Sequence, residues 1–468
     1  MTTMTEPPPL LDPARTAREL DARLTSLEAE LRSWGEATTG PDGPLRRHHT
    51  QMAALAGTLA VAVTDVRTSL DRIGRALSLL DRAAGLDRRI LDLHRLWGFF
   101  RDKLSLRFVP WLRDSLVTAD DLAWECYSPV QAFLPAEQRR EPPLTYFTGG
   151  ASPFLMPRGT LLVVEPLPDG GLREPDFAEA VRAVPVPLIG LPWFHAFHLP
   201  DAPLLAHEAG HAVENDLGLA TQVRSLIAGA VPDARRAAWS AWSSEIFADV
   251  YGVLGCGSGF CRALSALLAT HPRGMAGDLR EEADWGSYPT RTLRVLIAAA
   301  VLEEVGIVPA AGSVTEQWRQ VYADRPHTDF EDDVEVVVRA LLTGPYDALG
   351  GAGLGDVLPY QQEDENAVAA AAEELDSGLS PSARQVRHVA AAARLAYDRN
   401  PCAYARNETT LVALNWIGQM PSVAERDEQE PPPEPSRGPR NDLAGHRLAA
   451  LLGAAADARE RGDGDVPA

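Results

Sequence analysis

The chain has 468 residues, 45% of them hydrophobic and 23% charged, enough for two or more structural units and a sizeable core. A formal net charge of -21 repels phosphate backbones and argues against nucleic acid as a partner. Four cysteines, Cys126, Cys256, Cys261 and Cys402, are too sparse for a disulfide framework.

Residues 1–12 are polar and Pro-rich and read as disordered, with no basic segment leading into an apolar one, so no secretory signal is visible. From Pro13 to Trp34 the leucines Leu20, Leu24, Leu27 and Leu31 recur at helical spacing. Gly35–Pro44 reads as a loop. A second helix is expected from Arg46 to Ala84, broken near Thr64–Asp65. The pair reads either as an arm for a protein partner or for oligomerisation, or as a helical cap on the domain that follows. Residues 86–135 continue as helices, so residues 13–140 form a helical N-terminal region. The longest apolar runs, Ala53–Val63 and Val295–Leu302, fall short of the roughly 20 residues that span a bilayer. The expectation is a cytoplasmic protein with no membrane partner.

The pattern changes after Leu144. Thr160–Glu165 is a β-branched run, Pro168–Gly171 signals a turn, and Asp176–Ala183 suits a helix. Val184–Trp193 reads as a strand that its prolines confine to an edge. Asp201 to Gly418 is mainly helical. Residues 425–440 are a charged, Pro-rich linker, and a weak helix is expected over Asp442–Arg459. Residues 141–420 are thus assigned to a second domain and 421–468 to a Pro-rich acidic linker and weakly helical tail.

The informative segment is Leu204–Glu214, which contains His207-Glu208-Ala209-Gly210-His211. In a helix, with Asp201 as N-cap, Pro203 in the first turn and Gly218 at the C-terminal end, His207 and His211 project from one face. They lie roughly 6 Å apart along the axis, and two imidazole nitrogens can reach one metal. Glu208 lies beside such a metal and can take a proton from the water it activates. A third ligand is expected from Glu245, in a helical stretch from Arg236 to Leu254. Asp249, one turn on, would accept the ring N–H of a ligand histidine, and Ala248 permits close helix approach.

HEAGH at 207–211 and EIFAD at 245–249 resemble the gluzincin zinc peptidases, in the HExxH-plus-ExxAD form found in soluble relatives of the CAAX-prenyl-protein endopeptidases. The resemblance covers about Val184–Gly252. It implies one zinc ion held by His207, His211 and Glu245, Glu208 as base and then acid, and Asp249 behind a histidine. It also implies peptide or protein substrates and an edge strand before the helix, at Val186–Leu191, to which a substrate adds. The metzincin pattern is excluded, because Glu214 and Leu217 stand where it requires Gly and His.

Gluzincins also carry a downstream group that stabilises the oxyanion. Tyr288 is the first candidate, followed by Arg294, His271 and His327. His195 and His198 read as loop histidines near the cleft. Cys256 and Cys261 lack the paired knuckles of a structural zinc site. The fold expected is α+β and helix-dominated, a zincin-like core with a small sheet behind a helical N-terminal region. The function expected is zinc-dependent peptide hydrolysis. The alternative is a non-catalytic zinc-containing adaptor acting through its N-terminal helices.

Overall fold

A computed structural model describes residues 12–40, 43–73, 78–157, 186–269, 285–322, 328–420 and 439–460. The expectations placed on residues 1–11, on Thr160–Glu165, Pro168–Gly171 and Asp176–Ala183, and on 425–438 lie outside the described residues. The described residues fall into two units, 12–109 with 439–460, and 110–157 with 187–420. The division therefore comes after Val109 rather than at 140.

The first unit is helical. α1 (Pro13–Thr39) is capped by Asp12, whose carboxylate accepts from the Arg15 N–H. Its leucines at 20, 24, 27 and 31 are buried. α2 (His49–Ile73) runs unbroken through Thr64 and Asp65. The Thr64 hydroxyl donates to the Ala60 carbonyl within the same helix, and the Asp65 carboxylate accepts from Arg89, so the polar pair does not interrupt it. α3 is Ser78–Ser105. The C-terminal helix, Pro439–Glu460, is longer than expected and packs on α2 and α3. Its Leu448, Ala449 and Leu452 are buried.

The second unit begins with α4 (Pro110–Gln131) and a sheet of three strands. β1 (Leu144–Thr148) and β3 (Leu188–Pro192) pair in parallel, and β2 (Phe154–Met156) pairs antiparallel with β3. The order is β1-β3-β2. Every residue of β1 and β3 is buried, as expected where helices cover a parallel pair. β3 is therefore central, and the expected edge strand at Val186–Leu191 is corrected. Pro187 precedes β3 and Pro192 closes it, so neither removes a donor from the middle of the ladder. On the β1 side, Asp120 of α4 accepts from both the Thr145 N–H and the Thr145 hydroxyl.

Helices follow. α5 (Leu205–Leu217) is entered from a 3-10 turn, Leu199–Leu204, rather than from a side-chain cap. Asp201, expected as N-cap, instead faces Arg394 at 3.5 Å and His198 at 3.6 Å. Gly218 ends α5 in the left-handed conformation, with φ 65°, as its position suggested. α6 is Ala220–Ala230. The stretch expected as one helix from Arg236 is two, a short Arg236–Ala241 and the long α7 (Ser243–Leu268). α8 (Arg291–Glu304), α9 (Val308–Tyr322), α10 (Val334–Thr343), α11 (Gln362–Asp376), α12 (Val386–Arg399) and α13 (Thr409–Gln419) complete the unit. α7 is the core helix, packed by α5, α8 and α12. The described residues are thus a helix-dominated α+β chain with a small sheet. By length and composition α2 and α7 could each cross a membrane, but 78% of the relevant window of α7 is buried inside the protein.

α5 and α7 pack closely at Gly210. A Cβ there would lie 2.8 Å from the Tyr251 Cβ and 3.1 Å from the Ala248 Cα. Both neighbours belong to the main body of α7, so they cannot swing aside. Gly210→Ala is expected to destabilise the protein by about 1–3 kcal/mol through overpacking, read from urea unfolding midpoints. An unchanged midpoint would mean that the helices can separate freely.

Candidate metal centre

Three helices build the site. α5 supplies His207, Glu208, His211 and Glu214. α7 supplies Ser244, Glu245 and Asp249 from its first two turns, where the helix N-terminus favours the Glu245 charge. α8 supplies Arg294. His207, His211 and Glu245 converge so that one ligand atom from each lies within 4.8 Å of the others. The two Nε2 atoms are 3.1 Å apart. Glu245 Oε2 is 3.4 Å from the Nε2 of His207, and Oε1 is 3.5 Å from that of His211.

The outer nitrogens of the rings decide what this convergence can hold. His207 Nδ1 is 2.9 Å from Asp249 Oδ1. An ionised carboxylate only accepts, so this nitrogen carries the hydrogen and Nε2 keeps its lone pair. His211 Nδ1 lies 3.4 Å from the Ser244 hydroxyl, whose own hydrogen goes to Glu214 Oε2. Its Nε2 is left in the same state. Two lone pairs then face each other beside Glu245 Oε2, which is buried without a hydrogen-bond partner. A metal ion would satisfy all three. The set of two imidazoles and one carboxylate, with the ring N–H groups anchored, fits a zinc ion.

The same electrostatics hold without metal, when protons compete for the site. Burial opposes charge on His211, but Glu214 and Glu245 outweigh it and push the imidazole up to about 10. Burial likewise opposes charge on His207, and Asp249 and Glu245 raise it. Glu245 is held well below the usual carboxylate range, because the two histidines outweigh its burial. Burial pushes Glu208 up, with the histidines pulling the other way.

Asp249, fully buried, is the hub between helices. Arg294 donates to it from Nε at 2.7 Å and from a terminal nitrogen at 2.8 Å, and lies 3.6 Å from Glu245 Oε2. Burial would raise the Asp249 carboxyl, but Arg294 and His207 hold it down. Arg294, an alternative for the oxyanion, is thus committed to two carboxylates. Tyr288 is 62% exposed, with its ring over the Arg294 guanidinium at 5.7 Å. His271 and His327 lie outside the described residues.

Sequence reasoning passed over Ser244 and Glu214. The signal was present, since Glu214 is one turn beyond His211 and Ser244 precedes Glu245. Glu214 had served only to exclude the metzincin pattern.

Other histidines and cysteines sit apart. Among the described residues, one group of three metal-binding side chains is found, and it does not include His195 or His198. Those two line a small pocket with Ser115, Phe147 and Thr410. Burial holds the His195 imidazole down at about 4, with Asp201 offsetting part of the effect and His198 adding to it. The folded state therefore prefers the neutral ring. Its stability is intact above the unfolded value of about 6.5 and is lost as pH falls from there towards 4. The unfolding midpoint is expected to drop between pH 7 and pH 5, and less steeply in His195→Gln. Equal slopes in melting experiments would refute this. Cys126, Cys256 and Cys261 are buried free thiols, and Cys256 directly precedes the non-helical break of α7 at Gly257. Cys402 is an exposed free thiol.

No family model matches the chain, and no curated protein or solved structure matches it either.

Proposed function

We propose that this chain is a zinc-dependent peptidase with a zincin-like core, cleaving peptide bonds in a protein or peptide substrate. One observation supports the reading above all. His207, His211 and Glu245 come from two separate segments, yet their lone pairs meet at one point while the outer ring nitrogens are anchored. His207, His211 and Glu245 would hold the ion. When bound, zinc polarises a carbonyl and lowers the pKa of water towards about 7. Glu208 is next to the ligands but is not one of them. Its carboxylate, raised by burial, takes a proton from the water that attacks the scissile carbon. It returns that proton to the amine nitrogen as the C–N bond breaks. Asp249 and Arg294 hold His207 and Glu245 in place throughout.

Tyr288 stands over Arg294 with its hydroxyl available to the carbonyl oxygen as negative charge develops. Tyr288→Phe is expected to lower kcat about 100-fold with little change in KM. A variant as fast as the parent would remove Tyr288 from the mechanism.

The function is tested by incubating the zinc-loaded protein, and a chelated control, with a proteome-derived peptide library. New peptide termini that appear only with zinc support the reading. A library left intact at full zinc occupancy overturns it.

A further inference from the structure

We infer that Glu214 is a positioning residue of the metal site, acting through the Ser244 hydroxyl on the outer nitrogen of His211. The inference rests on the zinc reading above and concerns a residue outside the two motifs.

Glu214 is buried on α5, one turn beyond His211. Its Oε2 accepts from Ser244 and lies 3.8 Å from His211 Nδ1, while the Ser244 oxygen is closer to that nitrogen, at 3.4 Å. A serine hydroxyl has one hydrogen, and an ionised carboxylate has none to give. The hydrogen therefore belongs to the Ser244–Glu214 bond. The serine lone pairs remain for the His211 N–H, which fixes the ring with its Nε2 lone pair towards Glu245. The relay runs from His211 through Ser244 to Glu214, and each link follows from the one before.

The charge of Glu214 supports the same role. Its only ion-pair partner among the described residues is His211, and its Oε1 is buried with no hydrogen-bond partner. A buried carboxylate without a cation is costly to keep. An imidazole holding a dication supplies the missing positive charge. The two branches of the site differ in this respect. Behind His207, Asp249 shares its charge with Arg294. Behind His211, no guanidinium pairs with Glu214 among the described residues, so its negative charge bears on the ring.

The test uses the full chain and zinc alone, with affinity read by competition against a chromophoric chelator. Glu214→Gln and Ser244→Ala are each expected to weaken zinc binding 10- to 100-fold. The double variant should be no weaker than the worse single one, because both cut one relay. Ser244→Thr, which keeps the hydroxyl, should restore most of the loss. Ser244→Ala removes a single oxygen and tests the link if Glu214→Gln does not fold. Unchanged affinities, or losses that add in the double variant, overturn the inference.

A second readout separates this inference from the function itself. In nitrogen-15 spectra of the metal-free protein, Ser244→Ala should shift the His211 ring signals and leave those of His207 in place. If the parent chain takes up no zinc, the proposed function falls, and these spectra alone decide the relay. Unmoved His211 signals overturn it.

Discussion

Glu208→Gln is expected to bind zinc as the parent does and to hydrolyse peptides about 100- to 10,000-fold more slowly. The substitution is close to isosteric, so the buried pocket that holds the side chain keeps its packing. The amide cannot accept the proton that the carboxylate takes. The atoms that would hold the metal are unaffected, because Glu208 is not among the three converging groups. Burial raises the Glu208 carboxyl, which brings the base nearer neutral pH, where transfer to and from it is efficient. The measurement is kcat beside zinc stoichiometry in the same preparation. Turnover equal to the parent's would remove Glu208 as base. Loss of zinc with loss of turnover would make it a structural residue.

Asp249→Ala should have the largest effect on stability. The side chain has no exposure and makes three bonds to two other helices, one with His207 on α5 and two with Arg294 on α8. Removing it leaves a buried guanidinium with only its longer contact to Glu245, at 3.6 Å, and an imidazole N–H without an acceptor. Breaking such a pair costs about 3–5 kcal/mol. Zinc affinity should fall a further 10- to 100-fold once His207 can turn. Replacing both members, in Asp249→Leu with Arg294→Met, should recover much of the stability but none of the affinity. Urea denaturation beside chelator competition separates the two effects. A stability loss below about 1 kcal/mol in Asp249→Ala would show that Arg294 finds another partner.

The sequence disclosed the parts of the site that depend on helical spacing alone. His207 and His211 are one turn apart, as are Glu245 and Asp249, and a periodicity of 3.6 residues puts each pair on one face without knowledge of the fold. Both pairs were legible for that reason. What packs against them from afar was not. Arg294 is 45 residues beyond Asp249, and no local rule selects it from the other arginines of the region. The centre of the sheet was missed on similar grounds. Proline content assigned Val186–Leu191 to an edge, but pairing on both sides depends on β1 and β2, more than 30 residues earlier. The C-terminal helix has a weak pattern of its own, and its place beside α2 is a long-range fact.

The contact at Gly210 bears on which ions the site would accept. With the backbones of α5 and α7 in touch, the two imidazoles and the carboxylate start from a fixed base and cannot spread to enclose a larger ion. Calcium and magnesium are hard ions that favour six or more oxygens, and they meet one carboxylate and two nitrogens here. Two nitrogens and one carboxylate on a fixed helix spacing would favour borderline ions through their donor type, and the same spacing would disfavour a larger ion such as calcium.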